Sequence, residues 1–269
     1  MKIIVDNHAV EYEGAGTGPV ILLLHGWMQS LHTFDALVPA LSTSFRVIRL
    51  DLPGFGGSEP PKSAWGVGEY ARFVRDFCEK LQIQPEIVLG HSFSGRIAAK
   101  GTAEGVLRPK KLILIASAGL AKHKTVRSRL FWIVAKAGKM GLFLFPRSVQ
   151  DRFRRRLYEK AGSEYLDAGP LKDTFLLVTR EDLSEAARKI HVPTLLIWGE
   201  NDTETPLSDG RRLKELISGA RLKILNGAGH FVHQEKPVEV ARLISEFLLN
   251  KGGVRVSEDG GFKSLLDKN

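Results

Sequence analysis

Residues 86–95 read Glu86-Ile87-Val88-Leu89-Gly90-His91-Ser92-Phe93-Ser94-Gly95. An apolar run stops at Gly90, a serine follows two residues later, and a helix-like run then begins at Gly95-Arg96-Ile97-Ala98-Ala99-Lys100. The pattern predicts a strand over 86–90, a tight turn with Ser92 at its tip, and a helix over 93–103. Such a turn holds the serine in a strained backbone conformation and lifts its hydroxyl out of the sheet. Small neighbours at Gly90, Ser94 and Gly95 suit it, because strand and helix approach closely there. The helix N-terminus also sets free N–H groups and a positive dipole end beside the hydroxyl. Taken alone, the segment reads equally well as an ordinary βα turn, so the rest of the chain must discriminate.

The wider pattern is one of alternation. Residues 2–5 and 9–13 predict a hairpin around Asp6-Asn7, followed by a loop over Gly14–Pro19. Val20–Leu24 is a continuous apolar run of the kind buried on both faces. A helix is expected over 31–42, a strand over 45–50, a periodic helix over 67–81 and a strand over 111–115. Further on come a strand at 194–198, a helix at 207–217, a strand at 222–225 and a helix at 237–249. Strands alternating with helices predict an α/β architecture with a mostly parallel sheet covered on both faces. Ligands in such sheets sit beyond the carboxyl ends of the strands, where His25, Asp51, Ser92, Ser117 and Gly199 fall. No internal repeat is present.

The alternation breaks between 118 and 190, where helical patterns recur at 126–137, 148–160 and 170–188. Residues 1–117 and 191–249 therefore read as one core carrying a helical cap at 118–190. The last stretch, 250–269, contains Gly252-Gly253 and Gly260-Gly261 and reads as a loosely packed tail.

Composition narrows the class. A chain of 269 residues that is 43% hydrophobic and 26% charged can bury one sizeable globular core. The single cysteine, Cys78, excludes an internal disulfide and a cysteine-based metal site, and its place beside Phe73, Phe77 and Leu81 reads as core. The apolar run at the N-terminus is too short for a signal peptide, and no run of about eighteen apolar residues suggests a membrane span. A cytoplasmic location is the resulting expectation. Net charge is +9, yet residues 122–160 hold twelve Lys or Arg against Asp151 and Glu159, a local +10 that leaves −1 for the remainder.

A serine nucleophile needs a base within hydrogen-bonding reach and a group that orients that base. Asp202 lies in Gly199-Glu200-Asn201-Asp202-Thr203-Glu204, after one late strand, and His230 in Gly227-Ala228-Gly229-His230-Phe231, after the last. Ser92, Asp202 and His230 follow in the chain order of a hydrolase triad. Glu200 or Glu204 in place of Asp202 remains an alternative for the acid, and His233 is a further histidine near the base. His25 is expected to bond loop backbone, and Asp51 to brace the loop behind the site.

On these residues the chain resembles the α/β-hydrolase superfamily, of the small type with a helical cap, over residues 1 to about 249. His25-Gly26-Trp27 resembles the oxyanion motif, Asp51–Ser58 the Asp-x-x-Gly-x-Gly-x-Ser loop, and Gly90–Ser94 the Gly-x-Ser-x-Gly elbow with Ser94 in place of the last glycine. The resemblance implies an eight-stranded sheet, Ser92 as nucleophile, His230 as base and Asp202 as its orienting acid. Backbone N–H groups of Trp27 and Phe93 would hold the oxyanion, with no metal or cofactor required. His91, Trp132, Phe143 and Phe231 are expected at the substrate pocket.

The cap segment joins two compositions. Leu130–Val134 and Leu142–Phe145 are strongly apolar, and cations such as Lys122, Arg127 and Arg152 surround them. One expectation is an apolar roof over the site and a basic face attracting anionic substrates or, weakly, an anionic membrane. The other is ordinary packing with a solvated charged face. No nucleic-acid recognition motif accompanies the charge, and no feature marks a particular oligomeric state.

The expected activity is cofactor-free hydrolysis of small to medium acyl esters or lactones. A carbon–carbon bond hydrolase of a ring-cleavage product is the alternative in the same fold; there the resemblance implies Trp after the histidine, where Phe231 stands. A non-catalytic ligand-binding member of the fold is the third.

Overall fold

The structure, a computed structural model, describes residues 1–121 and 169–249. The expected helices at 126–137 and 148–160, the basic stretch 122–160, Trp132, Phe143 and the tail 250–269 lie outside the described residues.

Eight strands form one sheet: β1 (Lys2–Val5), β2 (His8–Ala15), β3 (Val20–Leu24), β4 (Arg46–Leu50), β5 (Ile87–His91), β6 (Lys111–Ile115), β7 (Thr194–Gly199) and β8 (Arg221–Leu225). Their order is β1-β2-β4-β3-β5-β6-β7-β8. The pairs β1–β2 and β2–β4 are antiparallel, and every pair from β4–β3 to β7–β8 is parallel. Asp6 (φ 46°) and Asn7 (φ 60°) both adopt positive φ, the conformation a two-residue hairpin demands and the reason an Asp-Asn pair suits it.

Side-chain alternation splits the central strands between two cores. Leu22, Leu24, Val88, Leu112, Leu114, Leu196 and Trp198 point to one face, where they pack on Tyr70, Val74, Phe77 and Ile97. Ile21, Leu23, Ile87, Leu89, Ile113, Ile115, Leu195 and Ile197 point to the other, against Phe34, Leu41, Val240 and Ile244. Both neighbours of each residue are therefore apolar, and that is why these strands read as unbroken apolar runs. The covering helices are α1 (Val38–Leu41), α2 (Val67–Lys80), α3 (Phe93–Ala103), α4 (Lys172–Arg180), α5 (Ser184–Arg188), α6 (Leu207–Leu216), α7 (Val232–Glu235) and α8 (Pro237–Leu249). None of them is long and apolar enough to cross a membrane.

Three expectations need correction. The helix predicted over 31–42 is a 3₁₀ turn at Leu31–Phe34 followed by the short α1. Pro39 has no N–H for a helical bond and restricts the residue before it, so a helix can start there but not run through. The expected loop at Gly14-Ala15 is strand, because β2 continues along β4 with Gly14 opposite Ile48 and Ala15 opposite Val47. The helical pattern at 170–188 divides at Glu181–Leu183, where Glu181 turns extended and Leu183 N–H donates to Gly119 O at 2.8 Å.

The described part of the segment between β6 and β7 is tied to the core. Arg96 of α3 donates to the carbonyls of Val178 at 2.7 Å and Glu181 at 2.9 Å. Trp65 N–H donates to Thr174 Oγ1 at 3.0 Å.

Candidate active site

Ser92 sits between β5 and α3 at φ 50° and ψ −110°, a conformation sparsely populated by a residue with a side chain. Surrounding bonds enforce it: Ser92 N–H donates to Ile115 O at 3.0 Å, and Ser92 O accepts from Gly95 N–H and Ala118 N–H, each at 3.1 Å. A Cβ at Gly90 would lie 2.5 Å from Ser94 O, and one at Gly95 would lie 2.2 Å from Ser117 Oγ, so both positions require glycine. Ser94 fits the turn, since its buried hydroxyl accepts His91 N–H at 3.0 Å and donates to Leu24 O.

The three sequence-predicted residues converge from the carboxyl ends of β5, β7 and β8. His230 Nε2 lies 2.9 Å from Ser92 Oγ, and His230 Nδ1 lies 2.9 Å from Asp202 Oδ2. A carboxylate only accepts, so Nδ1 carries the proton and Nε2 presents its lone pair to the serine hydroxyl. Asp202 is held by its own turn: Oδ1 accepts Glu204 N–H and Thr205 N–H, each at 2.9 Å, and Thr205 Oγ1 donates to Oδ2 at 2.8 Å. Asp202 and His230 are both buried, and Ser92 is half-buried. Glu204, the alternative acid, stands on the opposite side of the ring, its Oε2 3.4 Å from Nε2.

His25 and His233 serve the scaffold. His25 Nδ1 donates to Gly26 O at 2.7 Å and its Nε2 accepts Leu52 N–H at 2.9 Å. Burial lowers its pKa to about 4, which keeps it neutral in that role. Asp51 accepts Leu31 N–H at 2.6 Å and Gly57 N–H at 2.7 Å, bracing two loops. His233 is bonded to Thr33 Oγ1 at 2.9 Å, and burial lowers its pKa to about 3.

His91 does not line a pocket edge. It is fully buried behind His230, with Nδ1 at 3.1 Å from Gln29 Oε1 and Nε2 at 3.1 Å from His230 O. The strand direction explains this: Ser92 is the half-buried tip of the turn, so its predecessor points back under the loops. Burial, then the neighbouring His233 and His230, push the His91 pKa well below the ordinary histidine range. Phe231 is half-buried with its ring 5.3 Å from that of His230.

Gly26 N–H donates to Gln29 Oε1 at 3.0 Å and Gln29 N–H to Gly26 O at 3.3 Å, closing a turn around Trp27 and Met28. Phe93 opens α3, so its N–H has no partner within the helix. The Trp27 ring packs on Phe55, Phe93 and Phe175, with centroids 4.9, 5.2 and 5.2 Å away. Sequence reasoning missed Gln29, Thr205 and Phe175; an i to i+3 pairing of Asp202 with Thr205 was the one available signal. Among the described residues no group of three or more His, Cys, Asp or Glu side chains is placed to hold a metal ion. A groove of about 470 Å³ lined by Arg75, Cys78, Ile83, Val88 and Arg108 lies apart from the triad.

A strained serine on a strand–turn–helix elbow, bonded to a histidine that is bonded to an aspartate, is an arrangement capable of nucleophilic catalysis. Residues 21–243 match the pattern that defines the alpha/beta hydrolase family, and the chain belongs to that family. An uncharacterized hydrolase of Bacillus subtilis, YugF, is 28% identical over 260 residues, covering 91% of this chain and 94% of that protein. A 2-hydroxy-6-oxononadienedioate/2-hydroxy-6-oxononatrienedioate hydrolase of Pseudomonas putida is 25% identical, covering 89% and 91%. Among solved structures, a bacterial membrane phospholipase A superposes with a TM-score of 0.73 at 26% identity, over 92% of this chain and 84% of that one.

Proposed function

We propose that the chain is a serine hydrolase that cleaves small to medium carboxylic esters, lactones included, through an acyl-enzyme. The observation that carries this reading is the continuous Ser92–His230–Asp202 hydrogen-bond chain on a strained elbow. Ser92 Oγ attacks the ester carbonyl as its proton passes to His230 Nε2. Asp202 holds the Nδ1–H tautomer and stabilises the imidazolium. The amides of Trp27 and Phe93 receive the oxyanion. His230 then returns the proton to the leaving oxygen as the C–O bond breaks, and water, deprotonated by the same nitrogen, releases the acid. Trp27, Phe55, Phe93 and Phe175 offer an apolar wall for the acyl or aryl group.

The Pseudomonas putida relative favours a second reading, cleavage of a carbon–carbon bond in a dienoate, which the same nucleophile or base would serve. Phe231 in place of the expected Trp weighs against it.

The test is a panel of p-nitrophenyl esters of graded chain length, a lactone and a ring-cleavage dienoate, assayed with wild type and Ser92→Ala. Ester turnover by the wild type and a loss of at least about a thousandfold in the variant are expected. A wild type inert on esters, or an alanine variant that keeps its rate, overturns the proposal.

A further inference from the structure

The catalytic histidine carries two carboxylates, one on each ring nitrogen. Asp202 Oδ2 lies 2.9 Å from Nδ1, and its side chain is wholly buried. Glu204 Oε2 lies 3.4 Å from Nε2, and its side chain is 52% exposed. The same turn places both, since Glu204 N–H donates to Asp202 Oδ1 at 2.9 Å.

These two contacts have opposite consequences. Nδ1–H donates to Asp202 throughout the reaction. In the resting site Nε2 offers a lone pair to Ser92 Oγ–H, so a carboxylate beside it gains nothing. Once the Ser92 proton has moved to Nε2, the ring is a cation and the Glu204 carboxylate attracts it. An interaction stronger in the charged intermediate than in the ground state raises the rate and not merely the affinity. Among the described residues, the other groups facing the ring do not supply this charge. The ring centroid of His91 is 5.0 Å away and that of His233 lies 4.4 Å beyond His91, both buried and held neutral. Thr205 and Ser92 are uncharged.

Nε2 is also the atom that hands its proton to the leaving group, so the leaving oxygen must come beside Glu204. A leaving group carrying its own carboxylate would meet a like charge there.

Resting on the assignment of Ser92 and His230 as nucleophile and base, we propose that Glu204 is a second catalytic carboxylate that pairs with protonated Nε2 and selects esters whose leaving group bears no negative charge. No proton passes to Glu204 at any step. The Oγ–C bond forms as the Ser92 proton reaches Nε2, and the C–O bond breaks as that proton reaches the leaving oxygen.

The test compares wild type, Glu204→Gln and Glu204→Asp on a matched pair, methyl 4-acetoxybenzoate and 4-acetoxybenzoate. In Glu204→Gln, kcat/KM for the neutral ester is expected to fall about three- to tenfold, the size appropriate to a half-exposed charge. The neutral-to-anionic preference should shrink by a similar factor. Glu204→Asp keeps the charge and should retain most of the preference, while thermal melting checks that each variant is folded. An active wild type with a Glu204→Gln variant unchanged in both rate and preference overturns this proposal alone. A wild type inert on both esters overturns the hydrolase reading beneath it.

Discussion

His91 Nε2 lies 3.1 Å from the backbone carbonyl oxygen of His230, so the residue before Ser92 packs under the loop that carries His230. The other nitrogen of the same ring lies 3.1 Å from Gln29 Oε1, which in turn accepts Gly26 N–H at 3.0 Å. Both partners only accept and the neutral ring has one N–H, so the buried imidazole donates to one of them and packs against the other, between the loop of Trp27 and the loop of His230. Packing of this ring sets the loop of Trp27 and the loop of His230 against each other.

Replacing His91 by Ala should therefore lower kcat with KM little changed, since the ring touches no substrate. A displacement of the order of an ångström in such a site costs about a hundredfold. His91→Asn, which retains one donor near Nδ1, should recover part of the loss. Steady-state kinetics on a p-nitrophenyl ester provide the measurement, and a KM effect without a kcat effect would contradict the role.

Gly199 closes β7 where the loops of Asp202 and His230 meet. A Cβ there would lie 2.1 Å from Gly229 O and 2.4 Å from Ala228 O, and both are backbone atoms with little freedom to give. Gly199→Ala is expected to force the histidine loop away from Asp202. Activity should drop by two orders of magnitude or more, with a stability loss of about 1–3 kcal/mol in urea unfolding. An alanine variant with wild-type rate would show that the loops are not so tightly apposed.

Acid should destabilise the fold in a window set by the buried histidines. The pKa of His25 is about 4 and that of His233 about 3 when folded, both lowered first by burial from an unfolded value near 6.5. Below pH 6.5 the unfolded chain binds protons that the folded chain refuses, so stability falls as pH falls. The loss runs from pH 6.5 down to about 4 for His25 and about 3 for His233. Between pH 7 and pH 5 it should reach a few kcal/mol, read as a lower urea midpoint at unchanged slope. A midpoint independent of pH over that range would exclude the effect.

The sequence carried the sheet, and it singled out the three residues that the structure brings together, because both are written locally. Unbroken apolar runs such as Leu112–Ile115 mark strands buried on both faces, and Gly90, Gly95 and Gly227 mark the turns that follow. Ser92, Asp202 and His230 each stand beyond a strand's carboxyl end, so residue type and strand end together nominated them, with Glu200 and Glu204 as alternatives to Asp202. The breaks at Pro39 and Leu183 were harder to foresee. The apolar spacing of Leu31 to Leu41 is helical, and only the backbone restriction at proline interrupts it.

What tertiary structure decided is which atoms meet. Ser92 and His230 are 138 residues apart, so their 2.9 Å contact depends on how β5 and β8 are placed in the sheet. Asp202 and Glu204 are nearly indistinguishable as sequence, yet the turn sends one to the dry nitrogen of His230 and the other to the wet one. The position of His91 behind the base, the brace from Gln29 and the packing of Phe175 on Trp27 likewise arise from contacts between distant elements. Periodicity and turn chemistry are properties of a few neighbouring residues, whereas the side of a ring that a charge occupies is fixed only when separate loops are packed together.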